Sequence, residues 1–600
     1  MSIFTELRRR NVIRVAIAYL VTAWLVAQVA ELALESFGTP DWVMKTLLFM
    51  LAIGLPFALI FAWAFELTPE GIKREKDVDR SQSITQETGR KLTYTIIGIL
   101  VVALVLSIAT RGVQFGDEDP VKQPAAVANT EKSIAVLPFV NMSDDPDNEY
   151  FSDGISEELL NVLVKVEGLR VASRTSSFSF KGKDTSIPDI ANALQVEHVL
   201  EGSVRKAGDT VRITAQLIDV KTDSHLWSET YDRKFEDVFV IQDEISAHIV
   251  DALRVALGAG EVIQTASRPT DNLEAYEDYL RGRHFWQRRG GDNIRKAIAL
   301  FEKATAADPG FARAWSSLAA AHLTMPTYSD EPEDVHHPLA LGYAEKALML
   351  DPSLAEPHAV SADLLRVQNR WGEAEEHYLK AIRLEPGNAT GYLWYSEHLA
   401  SVGKRELCLE NALVALELDP FNAGSNSMVA FGHEINGNMD LARKQQEVAW
   451  DLGHPGAIYV MIEWEIMNGS TEQAMQLIED NAEFLTADDR TWFSALAEAV
   501  SHPEKVEAYL EYVASDPLSE PHFVALDNIL FGRVDRAVEI LLDNPTRGND
   551  WMELWLPETK PLRDHPRFQD LLQNAGLISY WDEYGWPPQC ARNGEAITCR

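Results

Sequence analysis

The stretch Trp371–Pro386, WGEAEEHYLKAIRLEP, contains a pattern that recurs along much of the chain. Ala374, Tyr378 and Ala381 are spaced four and three residues apart, so an α-helix places them on one face. Two of these three residues are small, so a second helix can pack closely against that face. Pro386 ends the helix, because proline lacks an N–H and clashes with the preceding turn. The stretch therefore predicts a helix that packs against a neighbouring helix.

The same spacing of small residues recurs, usually before Asp-Pro or Glu-Pro. The predicted packing positions are Ala297, Ala304, Ala340, Ala347, Ala374, Tyr378, Ala381, Cys408, Ala415, Ala442, Ala449 and Ala474. Equivalent positions from Ala340 to Ala442 are 34 residues apart, Ala474 follows Ala442 by 32 residues, and the interval from Ala297 to Ala340 is 43 residues. Helical hairpins with a period near 34 residues resemble the tetratricopeptide (TPR) repeat. The resemblance implies an all-α TPR solenoid over residues 272–542, with hairpins at 272–308, 311–351, 355–385, 389–419, 423–452 and 456–484, and two looser ones.

The composition restricts the class of partner. The 600 residues carry a formal net charge of −37. Binding of nucleic acid is disfavoured, because neutralising phosphates requires clustered Lys and Arg. The length is sufficient for about three or four domains. A solvated acidic surface is the simplest interpretation of the charge.

Three apolar runs near the N-terminus, at about 12–34, 43–67 and 92–109, are long enough to cross about 30 Å of hydrocarbon. Basic residues precede the first run and occupy the loop between the second and third. We therefore predict a three-helix transmembrane anchor over residues 1–111 in a bacterial inner membrane. The N-terminus is then cytoplasmic and the residues after about 111 are periplasmic. A cleaved signal peptide is the alternative for the first run, and residues 112–132 form a predicted linker.

Residues 133–256 have a different pattern, which predicts an α/β domain. Ile134–Val140 fits a buried strand, and Ile155–Val166 fits a helix that Ser152 or Asp153 can cap. The remaining predicted elements are the strand Leu169–Ala172, the helix Ile187–Leu194, the β-hairpin Val199–Arg205 and Thr210–Val220, and the amphipathic helix Asp237–Leu253.

Five segments of this domain carry a family resemblance. SIAVLPFVNMS, YFSDGISEELL, LRVASRTSS, VLEGSVRKAGDTVRITAQLID and LWSETYDR together resemble the TolB-like, FlgO-type domain of bacterial membrane proteins. Relatives of this domain follow winged-helix regulators or class III adenylate cyclase domains and often precede TPR arrays. The residues before Ser133 leave no room for either head, so a cyclase or regulator function is not transferred. Asp153-Gly154 and Arg174–Ser177 fit either a ligand pocket or a helix cap and a loop, and we favour the cap and loop.

No catalytic or cofactor-binding motif stands out in the sequence. It has no phosphate-binding Gly-rich loop ending in Lys-Ser or Lys-Thr, no His-Glu-x-x-His and no Cys-x-x-Cys. His336-His337 is a weak metal candidate, for which a solvated loop is the favoured interpretation. We therefore predict no catalytic, cofactor or metal site. Cys590 and Cys599 fit either a disulfide in an oxidising compartment or two free thiols.

Together these patterns predict a membrane-anchored, non-enzymatic scaffold that binds protein partners through its TPR surface. The alternative is a sensory component that binds a periplasmic ligand and signals through the membrane to a separate cytoplasmic effector. Residues 543–600 are expected to cap the last apolar surface of the array, because a terminal repeat has no neighbour. The identity of the partner and the oligomeric state stay open.

Overall fold

The structure is a computed structural model that describes two main ranges, residues 133–257 and 269–600. It also describes Tyr19, Leu51 and two short strands, β1 (Phe65–Thr68) and β2 (Gly71–Arg74). The undescribed positions inside the main ranges are 165, 167, 168, 517, 518, 545, 549 and 595. The chain divides into two compact units, Met1–Gln123 and Pro124–Arg600. In the first unit, β1 and β2 pair in antiparallel register.

The prediction of a three-helix transmembrane anchor is wrong. Among the residues that the structure describes, no helix combines the length and the apolar character needed to traverse a bilayer. The end of the predicted span 43–67 lies instead in β1, whose backbone groups bond to β2 and cannot serve a helix. Apart from β1, Tyr19 and Leu51, the three spans and the linker 112–132 lie outside the described residues. The predicted inner-membrane localisation and the transmembrane-signalling alternative depended on this anchor, so both are withdrawn.

The second unit begins with an α/β domain built on a six-stranded sheet in the order β5-β3-β6-β7-β8, with β4 also paired to β6. The neighbours β5, β3 and β6 run parallel, whereas β6, β7 and β8 form an antiparallel meander. The strands are β3 (Ser133–Val136), β4 (Val140–Asn141), β5 (Arg170–Val171), β6 (His198–Ala207), β7 (Thr210–Asp219) and β8 (Ser224–Lys234). The helices are α1 (Glu149–Leu163), α2 (Arg174–Phe178), α3 (Ile187–Leu194) and α4 (Val238–Leu257).

Local sequence accounts for much of this domain. The alternation in β7 buries Val211, Ile213 and Leu217 completely on the face that packs against the helices. The helix α1 begins six residues before the predicted Ile155, and Ser152 and Asp153 lie inside it rather than capping it. The reason is tertiary, because the first turns of α1 are buried under other elements and stay helical despite their polar residues.

Eight helical hairpins follow within the described residues. In chain order, the first and second helices of each pair are α5 (Leu273–Gln287) and α6 (Gly291–Ala307), α7 (Ala312–Thr324) and α8 (Glu333–Leu350), α9 (Ala355–Val367) and α10 (Trp371–Leu384), α11 (Ala389–Ser401) and α12 (Arg405–Leu418), α13 (Ala423–Ile435) and α14 (Met439–Asp451), α15 (Ala457–Met467) and α16 (Thr471–Asp480), α17 (Ala487–Ser501) and α18 (Val506–Ser515), and α19 (Pro521–Leu530) and α20 (Val534–Asp543).

In several repeats, the turn between the two helices of the hairpin requires a residue with left-handed backbone dihedrals. Gly403 and Gly437 have φ of 77° and 78° and occupy equivalent turns 34 residues apart. The predicted packing positions lie on the second helices, and all are completely buried except Ala381, which is 3 % exposed. Their small side chains allow neighbouring helices to approach closely.

The chain ends in a compact C-terminal segment after α20. Its elements are α21 (Lys560–Arg563), α22 (Phe568–Asn574), α23 (Leu577–Tyr584), β9 (Cys590–Asn593) and β10 (Ala596–Cys599), preceded by two short 3-10 turns at Glu553–Trp555 and Pro557–Thr559. The segment shares an apolar core with α19 and α20, including Ile529 and Val538. The same core includes Trp371 and Val402 from the third and fourth hairpins. The segment therefore covers the end of the array and also reaches back to its middle.

Candidate functional site

The array and the α/β domain meet along the buried face of α1. The carboxylate of Glu157 lies between two guanidinium groups, 2.9 Å from Arg174 Nε and 2.9 Å from Arg283 Nε. Burial alone would raise the pKa of Glu157, but the charges of Arg283 and Arg174 outweigh it and lower the pKa. Burial likewise acts to lower the pKa of Arg283, but the charges of Glu157 and Glu356 raise it far above its ordinary value. Glu157 and Arg283 therefore form a charged pair across the interface.

Two further carboxylates of α1 are matched by side chains of the first two hairpins. Arg313 Nη1 donates to Glu158 at 2.6 Å, and the charge of Glu158 raises the pKa of Arg313. Asp153 lies 3.2 Å from His284 Nδ1 and also accepts a hydrogen bond from Lys181. Burial would raise the pKa of Asp153, but these two hydrogen bonds lower it. The array thus presents a cationic or imidazole group to each buried carboxylate of this helix.

The contact continues along the array. Ser176 Oγ donates to Asp419 Oδ1 at 2.5 Å and accepts the N–H of Phe421 at 3.1 Å, and the rings of Phe180 and Phe421 meet edge to face with centroids 5.7 Å apart. At Gly154, an added Cβ would lie 2.9 Å from a Leu280 methyl carbon. The α/β domain therefore covers the array from its first hairpin to the start of its fifth.

The sequence left two interpretations for Asp153-Gly154 and Arg174–Ser177, a pocket or a cap and loop. The structure places both segments in the interdomain contact instead. The signal in the sequence was a set of acidic residues, Asp153, Glu157 and Glu158, in a helix that also carries large apolar side chains. Sequence alone could not match it to a basic face, because Glu157 and Arg283 are 126 residues apart.

The C-terminal segment is held to the array by three buried indole groups. Trp371 Nε1 donates to the carbonyl of Ala575 at 2.7 Å. In the opposite direction, Trp555 Nε1 donates to the Ser401 carbonyl at 3.1 Å. Trp581 Nε1 donates to the carbonyl of Val402, the next residue of the same turn, at 2.9 Å. The segment is thereby fixed against the third and fourth hairpins.

The structure places the three cysteines in two different settings. Cys590 and Cys599 are joined by a disulfide and lie opposite each other in the β9–β10 ladder. Cys408 is a buried thiol on α12, where burial raises its pKa. The two groups do not form a common site.

The dipeptide His336-His337 does not lie in a loop, because both residues fall in the first turns of α8. His336 Nδ1 is 2.9 Å from His322 Nδ1, and its Nε2 is 2.9 Å from Glu331. Burial and the neighbouring His336 lower the pKa of His322 to about 4. His336 therefore belongs to a buried hydrogen-bonded pair with His322.

A second set of carboxylates lies on the later hairpins and is not matched by cations. We call it the acidic cluster, and it consists of Glu434, Glu463, Asp527, Glu553 and Glu558. Trp464 Nε1 donates to Glu434 at 2.5 Å, and Tyr509 O–H donates to Asp527 at 3.0 Å. Both donors are neutral. Among the described residues, no Lys or Arg forms an ion pair with any member of the cluster.

The pKa values of the acidic cluster rise accordingly. Burial raises the pKa of Glu463 to about 8, and repulsion from Glu553 and Asp527 adds to this. Burial and the charge of Glu558 raise the pKa of Glu434 to about 7. Glu434 and Asp527 are buried, Glu463 and Glu553 are partly exposed and Glu558 is exposed, so one edge of the cluster meets solvent. The sequence analysis missed this cluster, because acidic residues are abundant throughout the chain.

Comparison with known proteins gives partial matches. Residues 130–248 match the family described as the second domain of HilA/YgeH-like transcriptional regulators. Over 261 residues, the chain is 41 % identical to the putative adenylate cyclase 3 of Rhizobium meliloti, which covers 43 % of this chain and 43 % of that protein. Over 163 residues, it is 29 % identical to the mitochondrial import receptor subunit TOM70 of Rattus norvegicus, covering 27 % of this chain and 25 % of that protein.

A solved TPR protein of Thermus thermophilus aligns with a TM-score of 0.26 and 18 % identity, covering 30 % of this chain and 91 % of that chain. The chain thus spans less than half the length of the curated relatives that it matches. The described residues contain a TPR-type helical array, preceded by an α/β domain similar to the second domain of HilA/YgeH-like regulators.

Proposed function

We propose that this chain is a non-catalytic interaction protein whose TPR array binds a basic segment of a partner protein at the acidic cluster. The observation that carries the proposal is a contrast between the two parts of the array. Where the α/β domain covers the array, Glu157 and Glu158 are paired with Arg283 and Arg313. At the acidic cluster, the side-chain donors to Glu434 and Asp527 are neutral, and the charges of Glu553 and Asp527 raise the pKa of Glu463 further.

The physical argument concerns charge. Carboxylates held close together in a partly buried site raise one another's pKa, because each disfavours ionisation of the next. An arginine or lysine brought into such a site gains attraction from several carboxylates at once and relieves their repulsion. Glu558 is exposed and Glu463 is partly exposed, which leaves this edge of the site accessible to an incoming chain. Solenoid arrays favour extended partners, because their repeats present a continuous surface.

The α/β domain covers part of the array, and that part is less available to a partner than the acidic cluster. The α/β domain already occupies the surface near Arg283, Arg313 and Phe421, so a partner there would have to displace an intramolecular contact. The acidic cluster requires no such displacement. The partial likeness to TOM70, an import receptor subunit, is consistent with a role in protein binding.

A peptide selection on the full chain tests the proposal. Peptides selected from a random library should be enriched in Arg and Lys, and their binding should weaken as salt increases. The triple variant Glu463→Gln, Asp527→Asn, Glu553→Gln should bind these peptides at least tenfold more weakly. The matched control, Glu472→Gln, Glu479→Gln, Asp488→Asn, neutralises three exposed carboxylates elsewhere on the array and should bind like the unmodified chain.

Selected peptides without basic residues, or equal binding by the triple variant and the control, would refute the proposed site. The non-catalytic part is tested separately. Incubation of the purified chain with ATP and a divalent cation should yield no cyclic AMP, and cyclic AMP formation would overturn that part.

A further inference from the structure

Two side chains at the start of the eighth hairpin and one from the turn that follows it converge in a way that the TPR fold does not require. Glu520, His522 and Asp550 each place one ligand-type atom so that these atoms lie within 4.8 Å of one another. His522 Nδ1 is 3.4 Å from Glu520 and 3.7 Å from Asp550. From these positions we propose that Glu520, His522 and Asp550 bind a divalent first-row metal ion, with Zn²⁺ as the ion that the ligand set fits best.

The distances suit coordination better than hydrogen bonding. A hydrogen bond to the ring nitrogen would bring an oxygen to about 2.7–3.2 Å. A tetrahedral ion with bonds of about 2.0–2.2 Å holds neighbouring ligand atoms roughly 3.3–3.6 Å apart. The separations of Glu520 and Asp550 from His522 Nδ1 are close to that edge length. The set of one imidazole and two carboxylates is one that zinc accepts, and three protein ligands leave a fourth position open.

The burial of His522 also supports a ligand at this position. Its side chain is only 9 % exposed, and its nitrogens form no hydrogen bond in the described part of the chain. A buried imidazole without a hydrogen bond is costly, so such a group normally makes one. Both nitrogens of His522 instead have carboxylates nearby, with Glu520 and Asp550 next to Nδ1 and Glu553 next to Nε2.

Glu553 supplies the outer contact that a metal-bound histidine needs. A ligating imidazole usually donates its other N–H to a carboxylate, which fixes the ring and its tautomer. Glu553 Oε2 lies 3.8 Å from His522 Nε2 and is a buried oxygen without a hydrogen-bond partner. Asp550 is oriented similarly, because its Oδ2 accepts the N–H of Arg547 at 3.0 Å and its Oδ1 faces the histidine.

The local charge favours a cation. The ion pairs of Glu520 and Asp550 within the described residues involve His522 alone, and the guanidinium of Arg547 bonds to Glu333. The N-terminus of α19 carries a partial positive charge of about +0.5, which disfavours a nearby cation. Three nearby carboxylates outweigh it. A bound ion would fasten the start of α19 to the turn at Asp550, next to the acidic cluster.

The experiment uses the full chain, stripped of metal with a chelator and titrated with ZnCl₂ by calorimetry. The unmodified chain should bind one equivalent of Zn²⁺. His522→Ala and Asp550→Asn should weaken the affinity for Zn²⁺ at least 100-fold, and Glu553→Gln about 10–100-fold. The control is His565→Ala, which removes a histidine paired with Asp535 and should leave this equivalent unchanged.

Substitution with Co²⁺ adds a readout of geometry. The unmodified chain should show the visible absorption of a tetrahedral Co²⁺ site, which Asp550→Asn should remove while the far-ultraviolet circular dichroism stays unchanged. Asp550→Asn preserves the side-chain shape, so it keeps the test valid should His522→Ala fail to fold. The proposal is overturned by the absence of a zinc equivalent in the unmodified chain, or by a full equivalent of unchanged affinity in Asp550→Asn.

Discussion

The pair Glu157–Arg283 should contribute strongly to stability, because it joins the α/β domain to the array in a buried position. The side chains are only 8 % and 14 % exposed. Breaking a buried ion pair by removing one partner costs about 3–5 kcal/mol, because the remaining charge stays buried. Arg283 keeps Glu356 at 2.9 Å, so we expect Glu157→Gln to cost about 3 kcal/mol, at the lower end of that range.

Urea unfolding of the full chain, followed by circular dichroism, measures this cost. A double-mutant cycle with Arg283→Met isolates the pair and should give a coupling free energy of about 1–3 kcal/mol. Arg212→Gln is the matched control, because Arg212 and Asp232 form a two-point pair at 2.7 Å and 3.0 Å in the same domain but are more than half exposed. The control should leave the unfolding midpoint unchanged. A loss for Glu157→Gln no larger than that of the control would refute the reasoning.

Three further predictions concern single positions. Gly548→Ala should cost about 1–3 kcal/mol in thermal unfolding, because its Cβ would clash with the backbone carbonyl oxygen of Arg366, whereas Gly342→Ala meets no neighbouring atom within 4 Å and should not destabilise. The pKa of Glu463 is raised to about 8, compared with about 4.3 in the unfolded chain. Its contribution to the free energy of unfolding is therefore fully present at low pH and is lost as the pH rises through 8. The urea midpoint should fall between pH 5 and pH 9, and Glu463→Gln should reduce that fall; an identical slope in the variant would contradict the assignment. Cys599→Ser should cost about 2–3 kcal/mol by opening a loop with a sequence separation of 9, measured by protease resistance of the C-terminal segment with and without reductant.

The repeat array was predictable because its packing is local. Ala374, Tyr378 and Ala381 lie within one helix, and the helix that they contact is adjacent in sequence. In a solenoid each hairpin packs mainly on its neighbours, so the same small residues recur with the same period. A left-handed glycine at Gly403 and Gly437 repeats for the same reason, because each hairpin has the same turn.

Hydropathy near the N-terminus predicted the secondary structure less well. The apolar run 43–67 has the length of a membrane span, but Phe65–Thr68 forms a strand with Gly71–Arg74. Apolar length describes what a segment can bury, and it does not specify whether the backbone pairs within a helix or with another strand.

The interdomain contact, the return of the C-terminal segment and the proposed metal site depend on the tertiary structure alone. Glu157 meets Arg283 across 126 residues, and Trp371 meets Ala575 across 204. No local period encodes these distances, because they depend on the accumulated rotation of one hairpin against the next. The sequence by itself determined which helices of the repeat array form and which of their faces are buried, since those follow from spacing and side-chain size. Only the folded chain decided which buried charges acquire partners, since that depends on where the array brings distant segments together.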